Sequence, residues 1–242
     1  MLLLGFDLET TGLDFVESRP IEVGAILYST GQKKALESTG FLVKSDKPVS
    51  AEITKLTGIS QSAVDRFGYD SKESLETVLD MLNQADAWVG QNIVRFDMKM
   101  LEAWAARHGM SIPQKLVIDT RTDLPGVESK TLSYMAADHG FLNLFPHSAL
   151  ADVQTCLKIL SFYDIDIVVA RAKEPTVILK AHVGFENNML AKKRKYGWYN
   201  DNAGTKFWWK AVKQSDVPAE TAHNEFDVSF VTDVPLEKLG KN

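Results

Sequence analysis

The first nine residues, MLLLGFDLE, constrain the fold most, because they join a buried-strand pattern to two acids at its end. The apolar run has the length of a strand and no helical period, so it predicts a strand over residues 2–9. Side chains alternate between the two faces of a strand, which places Asp7 and Glu9 on one face with Gly5. Two carboxylates at this spacing can hold one divalent cation, although a strand end with two solvated acids would give the same pattern.

A second acid follows another predicted strand, at residues 86–90. After Asn92, apolar residues recur at helical spacing from Phe96 to Trp104, which predicts a helix over residues 96–108. Asp97 therefore falls in the first turn of a helix that begins just beyond a strand end. At that position an acid either stabilises the helix through its dipole or supplies a further metal ligand.

A third segment combines an acid with a histidine. A helix is predicted over residues 148–163, and Asp152 follows His147 by five positions, or roughly 140° on an ideal helix. The two side chains can face one cleft only if His147 lies in or before the first turn. A single histidine before a helix is more often a surface residue, but four carboxylates and a base together indicate a metal-dependent phosphodiesterase.

Three motifs of this chain resemble those of the DEDDh 3′-5′ exonucleases, the family that contains the proofreading epsilon subunit of bacterial DNA polymerase III. The motifs are FDLETTGLD, GQNIVRFD and HSALADV, the last in its histidine-bearing form. The resemblance covers residues 2 to about 165, and the segments 20–25, 56–59 and 117–120 also match. Gln91 stands where many members carry histidine.

The resemblance implies an RNase H-like fold and a two-metal site. The implied ligands of two Mg²⁺ or Mn²⁺ ions are Asp7, Glu9, Asp97 and Asp152, with Asp7 shared between the ions. His147 is the implied base that takes the proton of the attacking water. The residues implied to contact substrate are Thr10, Leu13 and Asn92.

The expected function is 3′-5′ hydrolysis of a nucleic acid that releases nucleoside 5′-monophosphates. The expected partners are single-stranded nucleic acid or a duplex 3′ end, with DNA favoured over RNA, and a polymerase or replication protein. One alternative is an exoribonuclease of the same family, because four carboxylates do not distinguish the sugars. Another is a polymerase-associated nucleic-acid-binding accessory protein. An RNase H-like endonuclease is less favoured, because His147 at this spacing belongs to the exonuclease form.

The C-terminal section differs in charge and composition. Residues 171–213 hold 10 Lys and Arg against 3 Asp and Glu, although the net charge of the whole chain is −5. Basic residues interleaved with tryptophans suit a single strand, because phosphates and stacked bases are held together. We expect Lys192 and Arg194 to contact phosphate and Trp208 to stack on a base. Trp198 and one of the pair at 208 and 209 are expected in a small core.

The expected architecture is α/β: an RNase H-like mixed sheet flanked by helices in residues 1–169, and a small α+β module and tail in residues 170–242. The linker is expected at residues 170–175 and the tail at 214–242. In the first domain the predicted strands are 2–9, 20–28, 40–44, 86–90 and 116–118. The predicted helices are 50–56, 72–83, 96–108, 131–139 and 148–163. Predicted strands followed by alternating helices and strands indicate a mixed sheet.

Composition excludes several other classes of protein. A single cysteine, Cys156, excludes an internal disulfide, and its place in a predicted helix indicates packing in the core. No apolar run approaches the roughly 18 residues that a membrane span needs. The start of the chain lacks a basic leading region and a cleavage site, so we expect no signal peptide and a cytoplasmic location.

Overall fold

The computed structural model describes residues 1–127, 131–201, 204–222 and 225–232. The chain forms two compact units, Met1–Ala172 and Lys173–Asn242. The strands of the first unit are β1 Leu2–Thr10, β2 Pro20–Ser29, β3 Lys34–Leu42, β4 Ala87–Gly90 and β5 Leu116–Asp119. Its helices are α1 Ala51–Thr57, α2 Gln61–Phe67, α3 Ser71–Gln84, α4 Asp97–Arg107, α5 Thr120–Asp123, α6 Leu132–Asp138, α7 Ala149–Leu160 and α8 Ile165–Lys173.

The first unit contains a five-stranded sheet in the order β3-β2-β1-β4-β5. Strands β1, β2 and β3 pair antiparallel, whereas β4 pairs parallel with both β1 and β5. The predicted mixed sheet is therefore confirmed. Because β1 lies at the centre and runs parallel to β4, the ends of both strands that carry the sequence motifs lie at one edge of the sheet.

The two faces of β1 meet different helices, as its alternating pattern predicts. Leu4, Phe6 and Leu8 are buried in a core formed with α3 and α4. Burying an aliphatic or aromatic side chain of this size contributes roughly 1.5–3 kcal/mol, so this layer fixes the orientation of the strand. The opposite face, with Asp7 and Glu9, packs against α7. The acids therefore lie between the sheet and a helix.

Helix α7 approaches the sheet closely because small residues lie beneath it. A Cβ atom at Gly24 would collide with the backbone of Ala149, the first residue of the helix. At Gly5 a Cβ atom would lie 2.6 Å from Cγ1 of Val153. The room that Gly5 leaves beside the acids is thus occupied by α7, which carries Asp152 to the same face.

The second unit is a four-stranded antiparallel sheet in the order β7-β8-β6-β9. Its elements are β6 Thr176–Ala181, α9 Asn188–Lys193, β7 Gly197–Asn200, β8 Lys206–Lys213, α10 Val217–Thr221 and β9 Val228–Val231, with 3₁₀ turns at Phe185–Asn187 and Gln214–Asp216. Leu179, Tyr196 and Trp208 are the centre of the core on the α9 face. On the other face, Trp209 is buried with Ile178 and Phe207.

Several predicted elements are wrong in detail. The third strand covers residues 34–42 rather than 40–44, and α2 and α8 were not predicted. Residues 170–173, predicted as a linker, are the last turn of α8. Much of the predicted tail is structured, since α10 and β9 lie within it; residues 233–242 lie outside the described residues. Among the described helices, none has the length and apolar character that a membrane crossing needs.

Candidate active site

The core of the candidate site joins the end of β1 to the start of α7. One ligand atom from each of Glu9, His147 and Asp152 lies within 4.8 Å of the others. Two carboxylates and an imidazole at this separation can surround one divalent cation. Residues distant in the sequence thus meet at the place that the motifs predicted.

Asp97 reaches the site from the other side of β1. As the first residue of α4, it is only 2% exposed, and its Oδ1 accepts a hydrogen bond of 3.0 Å from the backbone N–H of Leu8. Leu8 lies between Asp7 and Glu9, so this bond attaches the start of α4 to the part of β1 that carries both acids. All four predicted carboxylates are therefore near one another.

The loop before α7 holds His147 and Asp152 in a fixed relation. His147 has a φ of 64°, in the left-handed region, and its backbone N–H donates to Oδ2 of Asp152 at 3.1 Å. The other oxygen of Asp152 accepts a hydrogen bond of 2.6 Å from Nδ2 of Asn143. As expected, His147 precedes the helix, which begins at Ala149.

The electrostatics of the cluster favour a cation. Burial, with repulsion from neighbouring carboxylates, raises the pKa of Asp7 well above its ordinary value and the pKa of Glu9 to about 8. The pKa of Asp97 also rises to about 8, chiefly through burial, although the hydrogen bond from Leu8 opposes the shift. Burial likewise raises the pKa of Asp152. A divalent cation would favour the ionised forms, so the donor set fits a metal ion.

A family model described as an exonuclease matches residues 4–160. The chain belongs to this exonuclease family. The three motifs, the sheet and the helices together identify it as a member of the DEDDh branch with an RNase H-like fold, as the sequence predicted.

Relatives and solved structures agree with this assignment. The PolC-type DNA polymerase III of Caldanaerobacter subterraneus subsp. tengcongensis is 33% identical over 115 residues, which are 48% of this chain and 8% of that protein. The nuclease domain of 3′hExo, a DEDDh member bound to rAMP, has a TM-score of 0.57 at 20% identity and covers 66% of this chain and 90% of that domain. Escherichia coli ExoI, in a complex with single-stranded DNA, has a TM-score of 0.55 at 20% identity over 66% of this chain and 39% of ExoI.

The similarity to known relatives is partial. The matched part of this exonuclease corresponds to about a tenth of the length of the PolC-type polymerases that it resembles. The likeness to 3′hExo and ExoI, at 20% identity, concerns the fold. The family match, at residues 4–160, lies within the domain that carries the acid cluster.

Glu22 is a site residue that motif analysis did not select. It pairs with Glu9 across β1 and β2, and its Oε2 accepts a hydrogen bond of 2.9 Å from the backbone N–H of Ala149. Burial raises its pKa. The signal was present in the sequence, because Glu22 interrupts an otherwise apolar strand two residues before Gly24.

The candidate substrate residues near β1 differ in exposure. Thr10 is buried, and its hydroxyl donates to the backbone carbonyl of Gly12 at 2.6 Å, so its side chain shapes the turn after the strand. Leu13 is 64% exposed on that turn and is available for contact with a base. The structure therefore favours Leu13 over the Thr10 side chain as a contact surface.

Asn92 helps to fix the loop between β4 and α4. It has a φ of 59°, its backbone N–H donates to Oδ1 of Asp119 at 2.8 Å, and its side-chain oxygen accepts from Nη1 of Arg121 at 3.0 Å. Asp119 is buried, and its pKa rises to about 6, chiefly through burial. These contacts favour the interpretation of Asn92 as a residue that positions the second motif.

The tryptophans of the second unit do not follow the prediction. Trp208 is only 6% exposed, so the expectation that it offers a face to a base is wrong for this fold. Trp209 is also buried, whereas Trp198, which was expected in the core, is 45% exposed. The rings of Trp198 and Trp208 lie 5.0 Å apart at an angle of 56°. Of the three tryptophans, the exposed one is therefore Trp198, on the edge strand β7.

The basic residues in and around α9 divide into two groups. Arg194 donates to Glu220 at 3.3 Å and lies 3.8 Å from Glu225, and Lys210 also pairs with Glu220, at 2.6 Å. Arg194 is thus engaged within the unit, which argues against it as a phosphate contact. Lys192 is exposed, and its side chain makes no hydrogen bond or ion pair with any residue that the structure describes.

Proposed function

We propose that this protein is a metal-dependent 3′-5′ exonuclease that releases nucleoside 5′-monophosphates, with DNA as its favoured substrate. The observation that carries the proposal is the meeting of Glu9, His147 and Asp152 within 4.8 Å, beside two further acids that the fold holds on β1 and α4. This arrangement suits hydrolysis of a phosphodiester, which requires charge stabilisation and a base rather than a covalent nucleophile.

Two divalent ions, Mg²⁺ or Mn²⁺, are the proposed cofactors. The four carboxylates would hold them, with Asp7 shared between the two and Asp97 on the side of α4. When bound, such ions stabilise the charge on the attacking and leaving oxygens of the phosphodiester. The hydrogen bonds from Leu8 to Asp97 and from Asn143 to Asp152 keep the two carboxylates oriented towards the site.

His147 is the proposed general base. It lies on the solvent side of the cluster, is exposed, and belongs to a loop whose backbone is tied to Asp152. An imidazole there can accept a proton from water near neutral pH. Exposure also lets it pass that proton to solvent once the phosphodiester is cleaved.

DNA is favoured because the relatives that match in sequence are PolC-type DNA polymerases. A DNA polymerase or another replication protein is accordingly the proposed partner. RNA is the second candidate substrate, since the structural neighbours include one domain bound to rAMP and one protein bound to single-stranded DNA. The basic second unit is proposed to hold the upstream strand through Lys192 and Trp198.

End-labelled strands test this function. Single-stranded DNA and RNA of one sequence, labelled at the 3′ or the 5′ end, are digested with Mg²⁺, with Mn²⁺ or with a chelator. We expect the 3′ label to be released at once as a mononucleotide, and the 5′-labelled strand to shorten step by step. Early internal fragments, release of the 5′ label first, or equal activity in chelator would contradict the proposal, and the faster substrate identifies the sugar.

A further inference from the structure

Arg95 is a cation close to Asp97 whose guanidinium has no partner among the described residues. It lies in the loop between β4 and α4, two residues before Asp97, and its side chain is half-buried. Within the described ranges, no residue accepts a hydrogen bond from its guanidinium or forms an ion pair with it. A half-buried arginine normally satisfies its five donors, so these donors are available to a ligand.

The loop that carries Arg95 is firmly held. Oδ1 of Asp119 accepts hydrogen bonds from the backbone N–H groups of Asn92 at 2.8 Å and of Arg121 at 3.0 Å. The side chain of Ile93 is fully buried in the core. Since the residues before and after Arg95 are fixed, its guanidinium is presented from a rigid base.

The surroundings of Arg95 favour an anion. Burial and the positive charge of the nearby Arg121 lower the pKa of Arg95. The buried Asp119 acts in the opposite direction. Two guanidinium groups thus lie at the edge of the sheet next to the acid cluster. A strand whose 3′ end enters that cluster carries the scissile phosphate and further phosphates upstream of it, and the acids repel them. A fixed cation at the entrance offsets this repulsion.

We propose that Arg95 binds a phosphodiester oxygen of the substrate strand and so positions the strand end beside Asp97. The inference rests on the proposed exonuclease function and adds a substrate-binding residue to it. A guanidinium suits this role because its fork matches two oxygens of one phosphate, which an ammonium group cannot do.

Binding to the full-length protein tests the proposal. Affinity for a short single-stranded DNA is measured with Ca²⁺ in place of Mg²⁺, for the wild type, Arg95→Met, Arg95→Lys and a control, Lys99→Met. Lys99 lies two residues on the other side of Asp97 and lines a groove with Trp88 and Pro113. We expect Arg95→Met to weaken binding roughly 10–100-fold, the range for losing a hydrogen bond to a charged group. Arg95→Lys should be intermediate and Lys99→Met unchanged.

Two further measurements separate substrate contact from damage to the site. Mn²⁺ affinity should stay within about twofold of wild type in Arg95→Met, because no proposed ligand is altered. The slope of log affinity against log salt should decrease by about 0.7, the value for one phosphate contact of a single strand. Lost Mn²⁺ affinity in both Arg95 variants would mean that Arg95 only supports the fold, and would overturn the proposal.

A nucleotide ester with one phosphate, thymidine 5′-p-nitrophenyl phosphate, shows which phosphate is bound. A higher KM for this ester in Arg95→Met would indicate that Arg95 binds the scissile phosphate. Weaker binding of strands with an unchanged KM for the ester would indicate that it binds the next phosphate upstream. Both results support the proposal. Unchanged strand binding and KM would overturn it, as would a wild type that binds no strand. If the wild type binds strands through Arg95 but cleaves neither DNA nor RNA, the exonuclease function fails while the Arg95 contact stands.

Discussion

The carboxylate of Glu22 accepts a hydrogen bond of 2.9 Å from the backbone N–H of Ala149, which ties strand β2 to the first residue of α7. Ser148, before the helix, makes no side-chain capping bond, so Glu22 serves one of the helix's unpaired N–H groups. It also adds negative charge at the positive end of the helix dipole. The position of Asp152, in the first turn of that helix, depends on this contact.

Glu22→Ala should therefore weaken the binding of a divalent cation at the site, and Glu22→Gln should weaken it less. The amide oxygen of glutamine can still accept from Ala149, whereas alanine leaves the helix end without a partner. We expect Glu22→Ala to lower Mn²⁺ affinity roughly 10–100-fold, the range for losing a group that orients a ligand. Isothermal titration with Mn²⁺ measures this; equal losses in both variants would mean that the charge of Glu22, rather than the hydrogen bond, matters.

His147→Ala should slow hydrolysis by roughly 10²–10⁴-fold, the range for losing a general base. Mn²⁺ affinity should fall little if His147 acts on water. His139→Ala is the control and should leave the pH profile of turnover unchanged, because the His139 ring contacts Tyr163 and the carbonyl of Met135 within the fold. A large loss of Mn²⁺ affinity in His147→Ala, measured beside the turnover rate, would instead make His147 a metal ligand.

The acid cluster should make stability fall with pH when divalent ions are absent. The folded pKa of Glu9 and of Asp97 is about 8, above their ordinary values of 4.5 and 3.8. The folded state therefore keeps protons that the unfolded state has lost. This contribution is fully present below about pH 4 and is lost as the pH rises to 8 and beyond. Urea unfolding at pH 5.5 and pH 8.5, with and without Mg²⁺, measures it.

In the same experiment, Asp97→Asn tests whether the charges of the acid cluster cause this fall in stability. The amide oxygen can still accept from Leu8 but carries no charge, so this variant should gain roughly 1–3 kcal/mol over wild type at pH 8.5 without Mg²⁺. Glu52→Gln, an exposed acid of α1, is the matched control. If Asp97→Asn is no more stable than wild type at pH 8.5 without Mg²⁺, repulsion and burial of the carboxylates do not destabilise the fold.

In the second unit, Lys192→Ala and Trp198→Ala should weaken binding of long single strands and leave very short substrates unaffected. Losing one lysine contact should also reduce the salt slope by about 0.7. Arg194→Ala is unsuitable as a test, because it breaks the pairs with Glu220 and Glu225 and would alter the fold. Equal affinities and slopes for wild type and both variants would leave this unit without a role in holding the strand.

Residues with strong local signals were predicted best. The alternation of Leu4, Phe6 and Leu8 against Asp7 and Glu9 defines both faces of β1, and the structure agrees. The sequence also allowed His147 and Asp152 to face one cleft only if His147 preceded the helix, and the structure places it there, with Asp152 in the first turn.

What was missed depends on contacts that sequence spacing does not contain. Trp208 and Trp198 were misjudged because they lie opposite each other on the paired strands β8 and β7. The sequence does not show where α9 lies, and this position determines which of the two rings is covered. The ion pairs of Arg194 arise from Glu220 and Glu225, more than 20 positions away. Glu22 stands out in the sequence as the one acid of an apolar strand, but its role depends on a backbone partner at Ala149 that spacing does not reveal.

The most direct test is the release of mononucleotides by wild type and Asp7→Asn from a 3′-labelled single strand while Mg²⁺ or Mn²⁺ is titrated. Asparagine keeps the shape of the side chain but removes the charge that both ions would share. We predict that wild type releases 5′-mononucleotides in proportion to bound metal, and that Asp7→Asn, folded as judged by circular dichroism, releases none above background. Near-wild-type release by Asp7→Asn would contradict the metal-dependent mechanism.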